Sequence, residues 1–138
     1  MPFLRLTLAS ANEFDDASRQ RLQSGLTRLM ASTLRKDAAL TVVAVEQAPP
    51  GSWSVAGAAL GAQDWSAQLE VFITDGSNTA AERRRFIAEA NALILAESGR
   101  PAQAPLYVVL HQVPGDSWGY DGETQAQRHA SRQSMAAN

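Results

Sequence analysis

The chain has no cysteine and only two histidines, His111 and His129. Disulfides and thiolate chemistry are therefore excluded, and with the histidines scattered neither a metal site nor any cofactor is expected. No sign of charge is in excess: the formal net charge is −2 over 138 residues. Neither nucleic acid nor an anionic membrane is expected as a partner of so balanced a surface, whereas a small-molecule substrate is. Long apolar runs are missing too. The run from Leu4 to Leu8 is interrupted by Arg5 and Thr7, too short for a membrane span or a secretory leader, so a cytoplasmic protein is expected.

What is present is 45% apolar residues, enough for one core, so residues 1–138 are expected to form a single domain. Within it one pattern occurs twice. Gln47-Ala-Pro-Pro-Gly-Ser-Trp53-Ser-Val-Ala-Gly57 returns as Gln112-Val-Pro-Gly-Asp-Ser-Trp118-Gly-Tyr-Asp-Gly122, at a constant offset of 65 residues. The same offset sets Phe3 to Leu8 over Gln68 to Ile73 and Pro2 over Ala67. Two units follow, 2–64 and 67–122, with a polar tail over 123–138.

Alternation of Leu4, Leu6 and Leu8 with Phe3, Arg5 and Thr7 predicts a half-buried strand. Leu22, Leu26, Leu29, Met30 and Leu34 recur at helical spacing and predict an amphipathic helix over 16–35. A β-branched run over 40–46 predicts a second strand, ended by Pro49-Pro50-Gly51. The second unit repeats this order: a strand over 67–74, a helix opened by the capping-box pair Thr79 and Glu82, and a strand over 106–112. That helix is expected to bury Phe86, Ile87, Ala90, Leu93 and Ile94, and Gly99-Arg-Pro101 to stop it.

Each unit is thus β-α-β with parallel strands and a right-handed crossover. The expected class is α+β: two tandem β-α-β units in a four-stranded mixed sheet, both helices on one face. Phe3, Phe72, Tyr107 and Val109 leave apolar groups on the other face, so oligomerisation through the sheets is expected. The tail reads as an arm along a neighbour or as disorder.

Met1-Pro2 leading into a strand, the duplicated unit, Leu40-Thr41 opening the second strand and Trp118-Gly-Tyr-Asp-Gly122 together resemble the tautomerase superfamily. That superfamily includes 4-oxalocrotonate tautomerase and macrophage migration inhibitory factor, and the resemblance is to its fused double-unit members. It implies a homotrimer and an isomerase in which Pro2, freed by removal of Met1, is a secondary amine acting as general base and acid. The implied reaction is keto-enol tautomerisation of a small 2-oxo acid or enol. Relatives with a protonated proline imply the alternatives of hydratase, dehalogenase or decarboxylase; a non-catalytic oligomeric binding protein is a further one. A proline after an initiator methionine also simply starts an edge strand.

The resemblance further implies Tyr107 as a hydrogen-bond donor to an enolate oxygen, against the plain reading of a core or interface tyrosine. Trp118 and its copy Trp53 match an aromatic that closes over substrate. Lys36 falls near a lysine of the migration inhibitory factor, or is a solvated lysine at a helix end. His111, counterpart of Glu46, is expected to be structural or interfacial, with catalytic involvement the alternative; Arg5 is expected to meet another subunit, and the run Arg83-Arg84-Arg85 to be an exposed face with one member able to reach a neighbouring site. The carboxylate-binding arginines of relatives are replaced by Asn12 or Ser77, by Val42 or Ala44, and by Asp75-Gly-Ser-Asn, which argues against a dicarboxylate substrate.

Overall fold

The structure, a computed structural model, describes residues 1–12 and 14–137. Strand β1 (Phe3–Ser10) leads to helix α1 (Asp16–Ser32) and strand β2 (Val42–Ala48), then a small hairpin of β3 (Ser54–Val55) and β4 (Ala58–Ala59). Strand β5 (Trp65–Thr74), helix α2 (Ala80–Ser98) and β6 (Tyr107–Val113) repeat the series. A second hairpin, β7 (Gly119–Tyr120) and β8 (Glu123–Thr124), runs into helix α3 (Gln125–Ala137). The sheet order is β2-β1-β5-β6, with β1 and β5 antiparallel at the centre and parallel pairs on either side. The protein has the expected α+β architecture.

The repeat extends to the backbone. Phe3 pairs with Val42 and Gln68 with Tyr107, each pair displaced by the sequence offset. The hairpin turns use the same left-handed residues, Ala56 at φ 53° with Gly57 at 82°, and Asp121 at 52° with Gly122 at 84°. Glycine adopts φ > 0 at no steric cost, which explains why both copies keep it there.

Leu4, Leu6 and Leu8 of β1 and Trp65, Ala67, Leu69, Val71 and Ile73 of β5 are all buried against Leu22, Leu26 and Met30 of α1 and Phe86, Ala90 and Ile94 of α2. Thr79 and Glu82 form the predicted capping box, and Gly99 ends α2 at φ 72°. Ile87 corrects the core prediction: it is 40% exposed, one position round the helix from Phe86 and off the buried stripe. Helix α1 stops short of residue 35, because Arg35 turns left-handed (φ 57°) and the chain closes back on the helix end, the Lys36 amide bonding to the Met30 carbonyl at 3.0 Å.

The opposite sheet face is uncovered. It carries Phe3 and Phe72 in tilted contact at 6.1 Å, Phe72 stacked on His111 at 4.5 Å, and two polar contacts related by the repeat, the ion pair of Arg5 with Glu46 at 3.6 Å and His111 Nε2 against Glu70 Oε1 at 3.2 Å. The tail is a correction. Residues expected as an arm or disorder form α3, opened by Thr124 and Gln127 in reciprocal capping bonds of 3.0 and 2.8 Å. Its apolar residues are alanines and one methionine, Met135, and alanine, glutamine and arginine, in which it is rich, are all good helix formers. Among the described residues no helix is long and apolar enough to cross a membrane.

Candidate active site

Pro2 is buried at the start of β1, and its carbonyl accepts the Val42 amide at 3.2 Å. Two clefts meet at it. One, of ≈ 590 Å³, is lined by Arg35, Lys36, Ser77, His129 and Arg132. The other, of ≈ 370 Å³, is lined by Phe3, Val42, Phe72, Trp118 and Tyr120, with Arg5 at its edge. Met1, Pro2 and Gln125 line both, so they form the partition. Volumes of this size suit small-molecule ligands.

With Met1 in place the Pro2 nitrogen is an amide and has no basic lone pair. The Met1 amine donates to Gln125 Oε1 at 3.0 Å, and Gln125 Nε2 donates to the Met1 carbonyl at 2.9 Å. Burial holds that amine below the usual α-amino range, reinforced by Arg132, Lys36 and Arg128 and opposed by Asp37.

Lys36 is half-buried in the first cleft, where its Nζ donates to Ser77 Oγ at 2.8 Å. Burial lowers its pKa; Glu82 works against this and Arg35 with it. The reading of Lys36 as a solvated residue at a helix end is thereby corrected. Ser77, which replaces an expected arginine, is its partner, while Asn12 lies away from both clefts.

Trp118 is positioned by its Nε1, which donates to Thr74 Oγ1 at 3.2 Å. The counterpart of Thr74 is Ala9, so Trp53 has no equivalent anchor. Tyr107 is not brought to Pro2 within the chain. It pairs with Gln68, which pairs with Thr7, placing it toward the far end of the sheet, 62% exposed. Trp53 belongs to that end as well, and lines neither cleft. Among Arg83, Arg84 and Arg85 none lines a cleft: Arg83 donates to the Asn78 carbonyl at 2.7 Å and Arg85 pairs with Glu89 at 2.6 Å. Among the described residues no acidic, histidine or cysteine cluster suits a metal.

Sequence reasoning missed Gln125, Arg128, His129 and Arg132, because it gave α3 no structure. Two signals were there. Thr124-x-x-Gln127 is a capping-box spacing, and Gln125 stands 65 residues after Leu60, at the point where each hairpin closes. Leu60 and Gln125 both donate their amides at 2.9 Å, to the carbonyls of Trp53 and Trp118. Arg128 folds back over Tyr120, 3.8 Å from the ring centroid, and donates to its carbonyl at 3.1 Å.

No family model matches the chain, and no curated protein does. Solved structures do. A fused 4-OT wild-type asymmetric trimer is 18% identical with a TM-score of 0.78, over 92% of this chain and 98% of that one. Pt0534, solved after inactivation by 2-oxo-3-pentynoate, is 16% identical at 0.77, with the same coverages of 92% and 98%. A macrophage migration inhibitory factor-like protein from Entamoeba histolytica is 14% identical at 0.71, over 89% and 97%. Identities this low speak for architecture alone: the chain has the fold of the fused 4-OT proteins, shared with macrophage migration inhibitory factor-like proteins.

Proposed function

We propose that the protein is a tautomerase-like isomerase in which Pro2, exposed by removal of Met1, moves a proton between carbon and oxygen of a small 2-oxo acid or its enol. The observation that carries this reading is the position of Pro2 at the partition of a cationic and an apolar cleft. A secondary amine there is desolvated and faces Lys36, Arg128 and Arg132, the groups that already disfavour an ammonium at Met1. Burial and these cations favour the neutral form of such an amine, which can take a proton from carbon as a general base must. The same cations weigh against hydratase, dehalogenase and decarboxylase chemistry, which needs the proline protonated.

The proposal includes a homotrimer. Structural neighbours include fused 4-OT trimers, and the uncovered sheet face with Phe3, Phe72 and Val109 needs a covering layer. In that assembly Tyr107 is available to a neighbouring subunit's site, and any part it plays as hydrogen-bond donor is played across the boundary. Trp118 forms the wall of the apolar cleft, and Lys36 belongs to the cationic one. Trp53 has no role in this reading. Ketonisation of phenylenolpyruvate by the processed protein tests it: Pro2→Ala is expected to lose about 10²–10⁴-fold in turnover, and an unchanged rate rejects proline catalysis.

A further inference from the structure

Gln125 is only 6% exposed, yet both ends of its side-chain amide are spent on Met1, the residue whose removal the proposed chemistry requires. Once Met1 is gone, the donor and the acceptor that it satisfies are freed toward the clefts next to the Pro2 nitrogen. A ligand oxygen that takes the place of the Met1 carbonyl regains the hydrogen bond to Gln125 Nε2. The Met1 carbonyl oxygen, 2.9 Å from Gln125 Nε2, already marks where an acceptor sits.

The cations of the same cleft are not equally available. Arg35 is paired with Glu82 at 3.0 Å, and Arg128 is stacked on Tyr120 with Glu123 at 3.9 Å. Arg132 makes no ion pair among the described residues, and Lys36 bonds to the neutral Ser77 hydroxyl. Both therefore keep charge to offer an anion. On the other side of Pro2 the lining is Phe3, Val42, Phe72 and Trp118, which suits an apolar group.

We propose that α3 forms the carboxylate-binding wall of this site. Gln125 donates to the 2-oxo or enol oxygen, Arg132 and Lys36 hold the carboxylate, and the apolar group at carbon 3 of an arylalkyl 2-oxo acid lies in the second cleft. That order along the ligand places carbon 3 at Pro2, between the polar and apolar ends, and carbon 3 is the atom that loses or gains a proton in keto-enol exchange. The arginine that the usual strand and turn positions lack is thus supplied by the C-terminal helix. The inference rests on Pro2 as the reacting base, but binding tests it without any reaction.

The experiment is calorimetric titration of the processed protein with phenylpyruvate and, separately, with phenylacetone, its analogue without the carboxylate. The protein is expected to favour phenylpyruvate by about tenfold or more, as a hydrogen-bonded charge pair implies. Arg132→Ala is expected to remove most of that preference while leaving phenylacetone binding within about twofold, and Gln125→Ala, which loses the donor to the ketone oxygen that both ligands carry, to weaken both while keeping the preference, a split that simple misfolding would not give. Pro2→Ala is expected to keep the preference, so a failure of proline catalysis and a failure of α3 recognition read differently. Absence of a preference in the parent protein, its persistence in Arg132→Ala, or unchanged binding of both ligands by Gln125→Ala overturns the inference.

Discussion

The two ends of the sheet share a backbone and differ in what they carry. At one end stand Pro2, Val42, Trp118 and Gln125; at the other, displaced by the repeat, stand Ala67, Tyr107, Trp53 and Leu60. The closing hydrogen bonds are 2.9 Å at both. Yet Ala67 lies inside β5 and is fully buried, whereas Pro2 precedes β1 and opens on two clefts. After the first hairpin the chain enters the central strand β5; after the second it enters α3, which brings Arg132 and His129 to Pro2. A duplicated frame therefore gives one chemically equipped end and one structural end.

The sharpest break of this comparison is at the proline. Replacing Pro2 by alanine makes the equipped end resemble the other, and the expected loss in turnover of about 10²–10⁴-fold exceeds that of any other single change. Next is Gly119, whose counterpart is Ser54. A Cβ at Gly119 would collide with the Glu123 carbonyl, so Gly119→Ala is expected to cost about 2–3 kcal/mol in chemical denaturation, although a side chain is tolerated at Ser54. Gln125→Leu, which installs the Leu60 counterpart, is expected to raise KM for phenylenolpyruvate about tenfold. Trp118→Ala is expected to raise it several-fold, about 1 kcal/mol of lost apolar contact, while Trp53→Ala leaves it unchanged. Equal effects of the two tryptophan changes would abolish the distinction between the ends.

The pH profile sharpens the same contrast. An amine whose pKa is depressed by burial and nearby cations loses its lone pair only when pH falls through that lowered value. The same burial and cations that lower the Met1 amine surround the Pro2 amine of the processed protein, so its activity is expected to rise with pH through that lowered pKa and to level off above it. Arg132→Ala removes a cation that disfavours the ammonium, so it is expected to move the rising limb to higher pH. A limb that stays in place, measured as kcat/KM against pH, counts against Arg132 acting at Pro2.

Much of this was legible in the sequence for a physical reason: the repeat fixes strand register, and the apolar spacings of Leu22, Leu26 and Met30 or of Phe86, Ala90 and Ile94 fix the buried faces. What escaped had no large apolar side chains, beyond Met135, to announce it. Helix α3 is stabilised by its capping pair and by intrinsic propensity, so hydropathy gave it no outline, and Gln125 and Arg132 went unseen with it. Tyr107 escaped differently. Its position in the strand was right, but the antiparallel pairing of β1 with β5 sends it away from the proline of its own chain. Distance along a sequence does not carry the direction of a strand.

The proposed chemistry requires Pro2 to be a free, nucleophilic amine. The most direct measurement is mass spectrometry of the protein before and after incubation with 2-oxo-3-pentynoate, followed by peptide mapping. A neutral amine adds through its lone pair to the alkyne carbon β to the ketone, the α carbon takes up a proton as the nitrogen loses one, and the whole reagent is retained. The predicted result is a chain lacking Met1 that gains a single adduct, on Pro2. A chain that retains Met1, or one whose Pro2 stays unmodified, would contradict it.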